Sequence, residues 1–261
     1  MTGASGFCGG HLVRLIGNTT ISLGRHPGLE RFWDATRDVP DLSDADAIVH
    51  LAAAVGDPRP GRLAEEAFRA VNVGGTERLL RAAAGRPVVW VSSASVYRPG
   101  PYPTPLREDH PVDGQRSAYG RTKAEGERLA LDAGAVVLRP RAVYGDGDPH
   151  LLPRLRRLVR GGRAWLPGPD VPLSLTAVEN LASACLAAIG WAPGAYNIAD
   201  DAVYRRDAAV SRVLGVPVRH VPVAVARLAA TRYSVDQVTD GMVLDIGKAR
   251  AAGWRPARTL M

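Results

Sequence analysis

The sequence predicts an α/β fold in which a doubly wound parallel sheet is followed by a smaller part with a different pattern. The first indication is a glycine-rich run at residues 3–9 that leads directly into a helical stretch. The second is a series of short apolar runs, typical of buried parallel strands, that alternate with helical segments up to residue 145. At 261 residues, the chain can form one large domain or two small ones.

The glycine run is the first candidate binding element. Gly3, Gly6 and Gly9 form a GxxGxxG pattern ahead of the helical stretch 11–16. Small residues let the backbone approach a pyrophosphate, and the N-terminus of the following helix favours its charge, so the pattern predicts a dinucleotide site. Such a loop normally follows a buried central strand, whereas only Met1 precedes it here. We therefore expect a short apolar strand before Met1; the alternative is that another segment fills this slot.

The end of the second predicted strand, at residues 19–23, bears on the choice of cofactor. A site that binds a free ribose hydroxyl usually has an acidic residue here. In this chain Arg25 follows the strand, and no acidic residue lies next to it. An arginine can instead bind the 2′-phosphate, so the sequence favours NADP(H) over NAD(H). A surface arginine after a turn is the alternative. Asp34, in a short connection further on, is a candidate adenine contact.

Further apolar runs predict buried strands at residues 47–53, 87–92 and 135–138. The second of these strands ends in four small residues that include Ser93. Hydroxyl groups at the carboxyl end of such a strand point into the ligand crevice, so a serine here could hold a substrate oxygen; ordinary turn chemistry is the alternative. A predicted helix at residues 65–84 contains Asn72 on an apolar face, where a core asparagine and a direct role are equally good interpretations.

A predicted helix over residues 117–132 places Tyr119 and Lys123 on one face, because they are four apart. A free phenol has a pKa of about 10, which a nearby cation lowers. Such a phenol can exchange a proton with an alcohol or ketone near neutral pH. The chain has 33 Lys plus Arg residues, of which only Lys123 and Lys248 are lysines, so a lysine here indicates a need for a compact ammonium. An ordinary surface pair is the alternative.

After residue 145 the alternation changes. The patterns there predict helices at residues 151–160 and 206–214, an extended piece that becomes a helix at 174–188, and a strand at 196–199. Before this point, the proline-rich residues 98–111 predict an extended loop. We therefore expect a dinucleotide-binding domain at residues 1–145. Residues 146–261 would be mainly substrate-binding and interleaved with the last strands of the sheet.

Composition excludes several classes of protein. The net charge of +7 could indicate nucleic acid, but no nucleic-acid motif accompanies it and aromatic residues make up only 6%. We expect instead a surface covered by arginines. The two cysteines form no metal or disulfide pattern, and no signal peptide or membrane span is evident. A cytoplasmic protein with a small-molecule substrate, and without nucleic-acid or membrane partners, is expected; a homodimer stays open.

Taken together, the motifs resemble the extended short-chain dehydrogenase/reductase family, which includes nucleotide-sugar epimerases and 3β-hydroxysteroid-dehydrogenase-like reductases. The similarity extends over almost the whole chain, and its specificity comes from the order and spacing of motifs at residues 2–9, 50–53, 72–76, 92–97, 119–123 and 138–145. The resemblance implies a Rossmann-type fold with a small C-terminal substrate-binding lid. It also implies a nicotinamide cofactor. No metal is expected, because the two cysteines and six histidines show no ligand spacing.

The resemblance further implies roles for the matching residues. Tyr119 would be the acid/base, Lys123 would bind the nicotinamide ribose and lower the pKa of Tyr119, and Ser93 would bond the substrate oxygen. Asn72 would support the site. Besides Lys123, the cofactor contacts would come from the glycine loop and the strand ends, namely Gly3, Ser5, Gly6, Phe7, Gly9, Arg25, Asp34, Leu51, Ala52, Ala53, Pro140 and Val143.

Two departures from the family pattern narrow the expected reaction. Sugar dehydratases carry an acidic pair after the position of Ser93, where this chain has Ala94 and Ser95. Nucleotide-sugar enzymes tend to have an arginine just before the motif matched by residues 176–180, where this chain has the largely apolar residues 172–175. We therefore expect an NADP(H)-dependent ketoreductase or alcohol dehydrogenase that acts on a small, mainly apolar carbonyl or hydroxyl compound. The alternatives are an NAD-dependent nucleotide-sugar epimerase and, less favoured, a non-catalytic dinucleotide-binding regulator.

Overall fold

The computed structural model describes residues 1–56, 61–100, 102 and 104–260. Its strands are β1 (Leu23–Gly24), β2 (Arg31–Phe32), β3 (Ile48–His50), β4 (Val88–Val91), β5 (Val136–Pro140), β6 (Val143–Tyr144), β7 (Val159–Arg160), β8 (Arg163–Pro167), β9 (Pro172–Leu173), β10 (Thr176–Ala177), β11 (Gly194–Ile198), β12 (Tyr204–Arg205) and β13 (Val218–Val221). Its α-helices are α1 (Phe7–Ile16), α2 (Arg62–Arg69), α3 (Thr76–Ala83), α4 (Ala118–Asp132), α5 (Leu151–Arg156), α6 (Val178–Ala187), α7 (Arg206–Leu214), α8 (Val223–Ala229), α9 (Arg232–Thr239) and α10 (Gly247–Ala251).

The main sheet is parallel throughout. Strands β3, β4, β5 and β11 pair in that spatial order. On the far side of β3, Thr2 forms parallel bridges to both His50 and Leu23, and β1 pairs in turn with β2. The strand order is therefore that of a Rossmann-type doubly wound sheet, as the sequence predicted.

The central position of the sheet is occupied by Met1 and Thr2. The Thr2 amide donates to the carbonyl of Val49 (3.0 Å), and the Leu51 amide donates to the Thr2 carbonyl (3.3 Å). On the other side, the Leu23 amide donates to the Met1 carbonyl (2.8 Å). These two residues therefore pair with backbone groups of both neighbouring strands, which the sequence analysis expected to require a longer apolar segment.

Helices cover both faces of the main sheet, because alternate strand residues point to opposite sides. On one face, Val89 packs in a cluster with Leu12 of α1 and Leu181 of α6. On the other face, Trp90 packs with Leu79 of α3. Burying one such side chain completely contributes about 1.5–3 kcal/mol, so both layers stabilise the sheet.

The second part of the chain forms smaller sheets beside the main one. Strands β7 and β8 form an antiparallel hairpin, and β13 pairs in parallel with β8. Strand β11 returns to the edge of the main sheet beside β5, so the two parts of the chain are interleaved there. In the described part of the chain, no helix is long and apolar enough to cross a membrane.

Several element boundaries differ from the sequence predictions for identifiable reasons. The helix expected at residues 151–160 ends at Arg156, because Gly161 and Gly162 have φ angles of +55° and +69° and turn the chain into the β7–β8 hairpin. The helix expected at residues 65–84 is interrupted by a π-helical segment over Ala70–Gly75. Of the proline-rich loop at 98–111, residues 101 and 103 lie outside the described residues.

Candidate active site

The glycine loop lies between Thr2 and α1, at the carboxyl end of the main sheet. Gly3 has a φ of +74°, and the Gly6 amide closes a turn on the Gly3 carbonyl (3.0 Å). A Cβ atom on Gly9 would lie only 2.0 Å from the Gly3 oxygen, and one on Gly3 would lie 2.7 Å from the amide nitrogen of Ala52. The backbone segments are therefore packed so closely that glycine is required at both positions.

The N-terminus of α1 suits an anionic group. Its N-cap residue, Gly6, offers no side-chain hydrogen bond, and the first turn contains no acidic residue. Ser5 and Gly6 are exposed, while Phe7 begins the ten-residue helix. Amide groups at a helix N-terminus bind phosphate well, so these residues fit the pyrophosphate of a dinucleotide cofactor.

The segment after β3, residues 51–54, forms the floor beside this loop. It is partly buried, and the Ala52 amide donates to the hydroxyl of Thr2 (3.2 Å). Asn72, which is buried, exchanges two hydrogen bonds with the backbone of Ala54 (2.8 and 3.0 Å) and donates to the hydroxyl of Thr122 in α4 (3.0 Å). Asn72 therefore holds this segment against the helix that carries Tyr119, which is a positioning role.

Ser93 and Tyr119 come together at the end of β4. Ser93 begins the turn at Ala94–Val96, and its hydroxyl donates to that of Ser95 (3.2 Å), which in turn bonds the hydroxyl of Tyr233 (3.1 Å). Burial, together with the Tyr233 phenol, raises the pKa of Tyr119, and a hydrogen bond with Ser93 acts in the opposite direction. These four hydroxyl groups form one connected set at the carboxyl end of the sheet.

The raised pKa of Tyr119 differs from the sequence-based expectation that Lys123 would lower it. Among the residues that the structure describes, Lys123 makes no resolved contribution to the pKa of Tyr119. Instead the Lys123 ammonium donates to the carbonyl of Val91 (2.7 Å) and lies 3.6 Å from the centre of the Trp90 ring. Sequence spacing places two residues on one helix face, but only the surrounding strands determine where a flexible lysine points.

Lys123 is almost completely buried, at 2% exposure. Burial lowers its pKa to about 7, and Glu127 only partly opposes this effect. The unfolded chain therefore binds more protons above neutral pH than the folded protein does, and stability must rise with pH in that range. We expect the free energy of unfolding to increase by roughly 2 kcal/mol between about pH 7 and about pH 9 from this residue alone.

Urea unfolding at the two pH values checks this expectation. Lys123→Met removes the titrating group and should flatten the rise in stability. Lys248→Met, at the other lysine of the chain, is the control and should keep it. An equal rise in both variants would show that Lys123 is not the group responsible.

Arg25 and Asp34 lie at the same edge of the sheet, beyond β1 and β2. Arg25 is exposed. Asp34 accepts hydrogen bonds from the amide and hydroxyl of Thr36 (2.9 and 2.7 Å), which hold its pKa below the usual value, with a smaller contribution from Arg25. Arg25 therefore has an acidic neighbour after all, which sequence reasoning missed because nine positions separate the two residues.

Pro140 and Val143 mark the end of β5 and the start of β6. Pro140 is buried, while Val143 is partly buried against the core that contains α1 and α6. A Cβ atom on the nearby Gly145 would lie 2.5 Å from Val178 and 3.7 Å from the ring of Phe7. This segment therefore lies directly beside the start of α1.

A small cleft lies beside this site, between α9 and the segments that follow β4 and β5. Its lining includes Ser95 and Ser117 near the hydroxyl set, Arg141 after β5, and Tyr233 and Gln237 of α9. The sequence alone gave no prediction for Arg141, Tyr233 or Gln237. Arg141 could have been found, because it directly follows a predicted strand. Tyr233 and Gln237 could not, because α9 carries no sequence pattern that marks it as part of a site.

The segment at residues 172–175, whose apolar character suggested a mainly apolar substrate, does not line this cleft. It contains β9, and Leu173 and Leu175 are buried. Apolar surface in the cleft comes instead from aromatic rings, among them Tyr97 and Tyr102. In the part of the chain that the structure describes, no group of three or more His, Cys, Asp or Glu residues could hold a metal ion.

A parallel sheet with a glycine loop and a free helix N-terminus at its carboxyl edge defines a dinucleotide-binding α/β protein. The sequence profile of the NAD dependent epimerase/dehydratase family matches residues 1–199. The chain belongs to this family, and with it to the extended short-chain dehydrogenases/reductases, which use a nicotinamide dinucleotide.

Individual relatives support this assignment. The chain is 29% identical over 74% of its length to a 4-hydroxy-2-methyl-3-oxo-4-farnesyl-3,4-dihydroquinoline-1-oxide ketoreductase of Stigmatella aurantiaca, of which it spans 65%. It is 32% identical over 99% of its length to a dTDP-4-dehydrorhamnose reductase of Streptomyces griseus, covering 88% of that protein. Among solved structures, MoeE5 in complex with UDP-glucose and NAD is similar with a TM-score of 0.77 and 25% identity, over 99% of this chain and 93% of that one.

Proposed function

We propose that the protein is an NADP(H)-dependent ketoreductase or alcohol dehydrogenase that acts on a small carbonyl or hydroxyl compound. The observation that carries this proposal is the connected set of Tyr119, Ser93, Ser95 and Tyr233, of which Ser95 and Tyr233 line the cleft. Cys8, in the first turn of α1, makes a small contribution to the raised pKa of Tyr119, so the set lies near the proposed cofactor site. The similarity to a ketoreductase agrees with this assignment.

In the proposed reduction, the bound cofactor supplies a hydride to the carbonyl carbon. Tyr119 donates its phenolic proton to the carbonyl oxygen, so the two electrons and the proton together give an alcohol. Burial keeps this phenol protonated at neutral pH, which suits it to the role of acid. Ser93 positions the same oxygen, while the glycine loop and the start of α1 hold the pyrophosphate.

The proposed preference for NADP(H) rests on Arg25, which is exposed, whereas its acidic neighbour Asp34 already accepts two hydrogen bonds from Thr36. A charge-assisted hydrogen bond from this arginine to the 2′-phosphate contributes roughly 1.5–3 kcal/mol. We expect the protein to bind NADPH more tightly than NADH. Arg25→Ala should weaken NADPH binding by about 10- to 100-fold, with little change for NADH, because only NADPH carries that phosphate.

Fluorescence titration with both cofactors measures these affinities. Arg81→Ala is the control, since Arg81 is an exposed arginine of α3 whose partner is Glu77 (3.5 Å). It should leave both affinities unchanged. Equal affinities of the unmodified protein for NADPH and NADH, or an unchanged NADPH affinity in Arg25→Ala, would contradict the assignment.

The reaction itself is tested by incubating the protein with NADPH and a panel of ketones while following the oxidation of NADPH. Net oxidation supports the reductase. The main alternative is a nucleotide-sugar epimerase, which would convert a UDP- or dTDP-sugar with no net change in the cofactor. A non-catalytic regulator would bind the dinucleotide but turn over neither class of compound; the connected hydroxyl groups around Tyr119 argue against it.

A further inference from the structure

Arg141 is a buried cation in the wall of the cleft. It follows β5 directly and is only 5% exposed. Its two terminal nitrogens donate to the side-chain and backbone oxygens of Gln237 (3.0 and 3.1 Å). Among the described residues, its Nε atom is buried and has no hydrogen-bond partner. Two of the five N–H groups of this guanidinium are therefore satisfied by α9, and the Nε–H is left with none.

The charge of Arg141 is also not paired directly with a carboxylate of the described residues. The acidic groups near it belong to α9 and the residue after it, and Asp236 already pairs with Arg116, Arg227 (3.4 Å) and Arg232 (3.7 Å). Asp240 lies 3.9 Å from Arg116. Across residues 1–56, 61–100, 102 and 104–260, Arg141 itself forms no ion pair with a carboxylate.

Asp240 is a weak candidate for the missing counter-charge. Burial, followed by the neighbouring Asp236, raises the pKa of Asp240, and Arg116 and Arg141 only partly oppose this. A buried guanidinium without an anionic partner is costly, and arginine does not escape that cost by losing its proton. An anion that entered the cleft would therefore gain a strong, desolvated partner at Arg141.

We propose that the substrate is a carbonyl or hydroxyl compound that also carries a carboxylate, and that Arg141 binds this carboxylate. The inference rests on the proposed function, since it names the substrate class of the same site. The Nε–H and a remaining terminal N–H form the pair of donors that matches a carboxylate in bidentate geometry. A single pair of N–H donors is too few to bind the charged oxygens of a diphosphate. The rings of Tyr97, Tyr102 and Tyr233 would contact the apolar body of the substrate.

A matched pair of substrates tests this assignment. Medium-chain oxo acids with different carbonyl positions are compared with their methyl esters, which have the same carbon skeleton without the charge. We expect the unmodified protein to prefer the best acid over its ester by about 10- to 100-fold in kcat/KM, the range expected for a charged hydrogen bond. In Arg141→Met this acid-to-ester ratio should fall close to one.

Two further variants separate charge recognition from a structural effect. Gln237→Glu places a carboxylate beside the terminal nitrogens of Arg141, neutralises it, and should also remove the preference for the acid while the protein stays folded. Arg227→Met removes an exposed arginine that pairs with the same acidic cluster and should keep the preference. Circular dichroism confirms that each variant is folded.

The outcomes distinguish this inference from the proposed function. If acid and ester are reduced equally well, or if Arg141→Met lowers kcat/KM for both by the same factor, the carboxylate site is wrong and the reductase assignment stands. If neither compound is reduced, the proposed function fails, and calorimetric binding of the corresponding hydroxy acids to the NADP⁺-loaded protein decides the site. Binding that disappears in Arg141→Met supports the carboxylate site, whereas binding that is unchanged or absent in both proteins overturns it.

Discussion

Tyr119→Phe is expected to lower turnover by on the order of 10²–10⁴-fold while the affinity for the cofactor changes little. The variant keeps the ring and removes only the phenolic proton. The carbonyl oxygen then loses the phenol that we propose as its proton donor. Single-turnover reduction with bound NADPH, followed under saturating substrate, measures the chemical step directly.

Tyr196→Phe is the matched control for this change. The Tyr196 hydroxyl donates to the backbone carbonyl of Ala192 (2.8 Å), at the edge of the main sheet. Its loss should cost about 1 kcal/mol of stability and leave turnover unchanged within a few-fold. A wild-type rate in Tyr119→Phe on the true substrate would mean that another group supplies the proton.

Gly9→Ala should abolish detectable cofactor binding at concentrations that saturate the unmodified protein. The added Cβ atom would lie 2.0 Å from the carbonyl oxygen of Gly3, 2.6 Å from its carbonyl carbon and 2.9 Å from the Cα atom of Ala4. These are backbone atoms, so the clash cannot be relieved by a change of side-chain rotamer. The glycine loop must move away from α1, and overpacking of this kind costs about 1–3 kcal/mol of stability.

The adjacent glycine supplies the control. In Gly10→Ala, the nearest atom to the new Cβ is the Ala4 oxygen at 3.8 Å, an ordinary contact. Because Gly10 lies inside α1, alanine there should stabilise the helix by about 0.5–1 kcal/mol. The midpoint temperature of thermal unfolding should therefore rise in Gly10→Ala and fall in Gly9→Ala. Retained cofactor binding in Gly9→Ala would contradict the proposed path of the dinucleotide over this loop.

The features that could be predicted from sequence are those governed by local pattern. Apolar runs at β4 and β5 are buried on both faces and so predict parallel strands without knowledge of their neighbours. The helix predicted over residues 117–132 is present as α4, and Ser117 caps it by accepting from the Gly120 amide (3.0 Å). The glycine spacing predicted a dinucleotide-binding loop, and the short distances at Gly3 and Gly9 show that the backbone there has no room for a side chain.

Contacts between distant residues were not predictable in the same way. Lys123 is four positions from Tyr119, yet its ammonium binds a strand carbonyl, because the choice among its rotamers depends on burial against Trp90. Tyr233 reaches Ser95 across 138 positions of sequence, and no local pattern marks such a pair. The central slot of the sheet is likewise paired by Met1 and Thr2, whose contribution depends on two strands that come later in the chain.

Sequence alone was therefore sufficient for the fold class and the position of the glycine loop, since hydrophobic periodicity and glycine spacing are properties of neighbouring residues. The role of Tyr119 as acid/base stays a prediction. The tertiary structure alone decided which charges are compensated. Arg141 looks like any of the many arginines in this chain until α9 packs over the cleft, satisfies two of its nitrogens through Gln237 and leaves Nε buried without a partner. Desolvation and pairing depend on the surroundings of a group, and those surroundings come from distant segments of the chain.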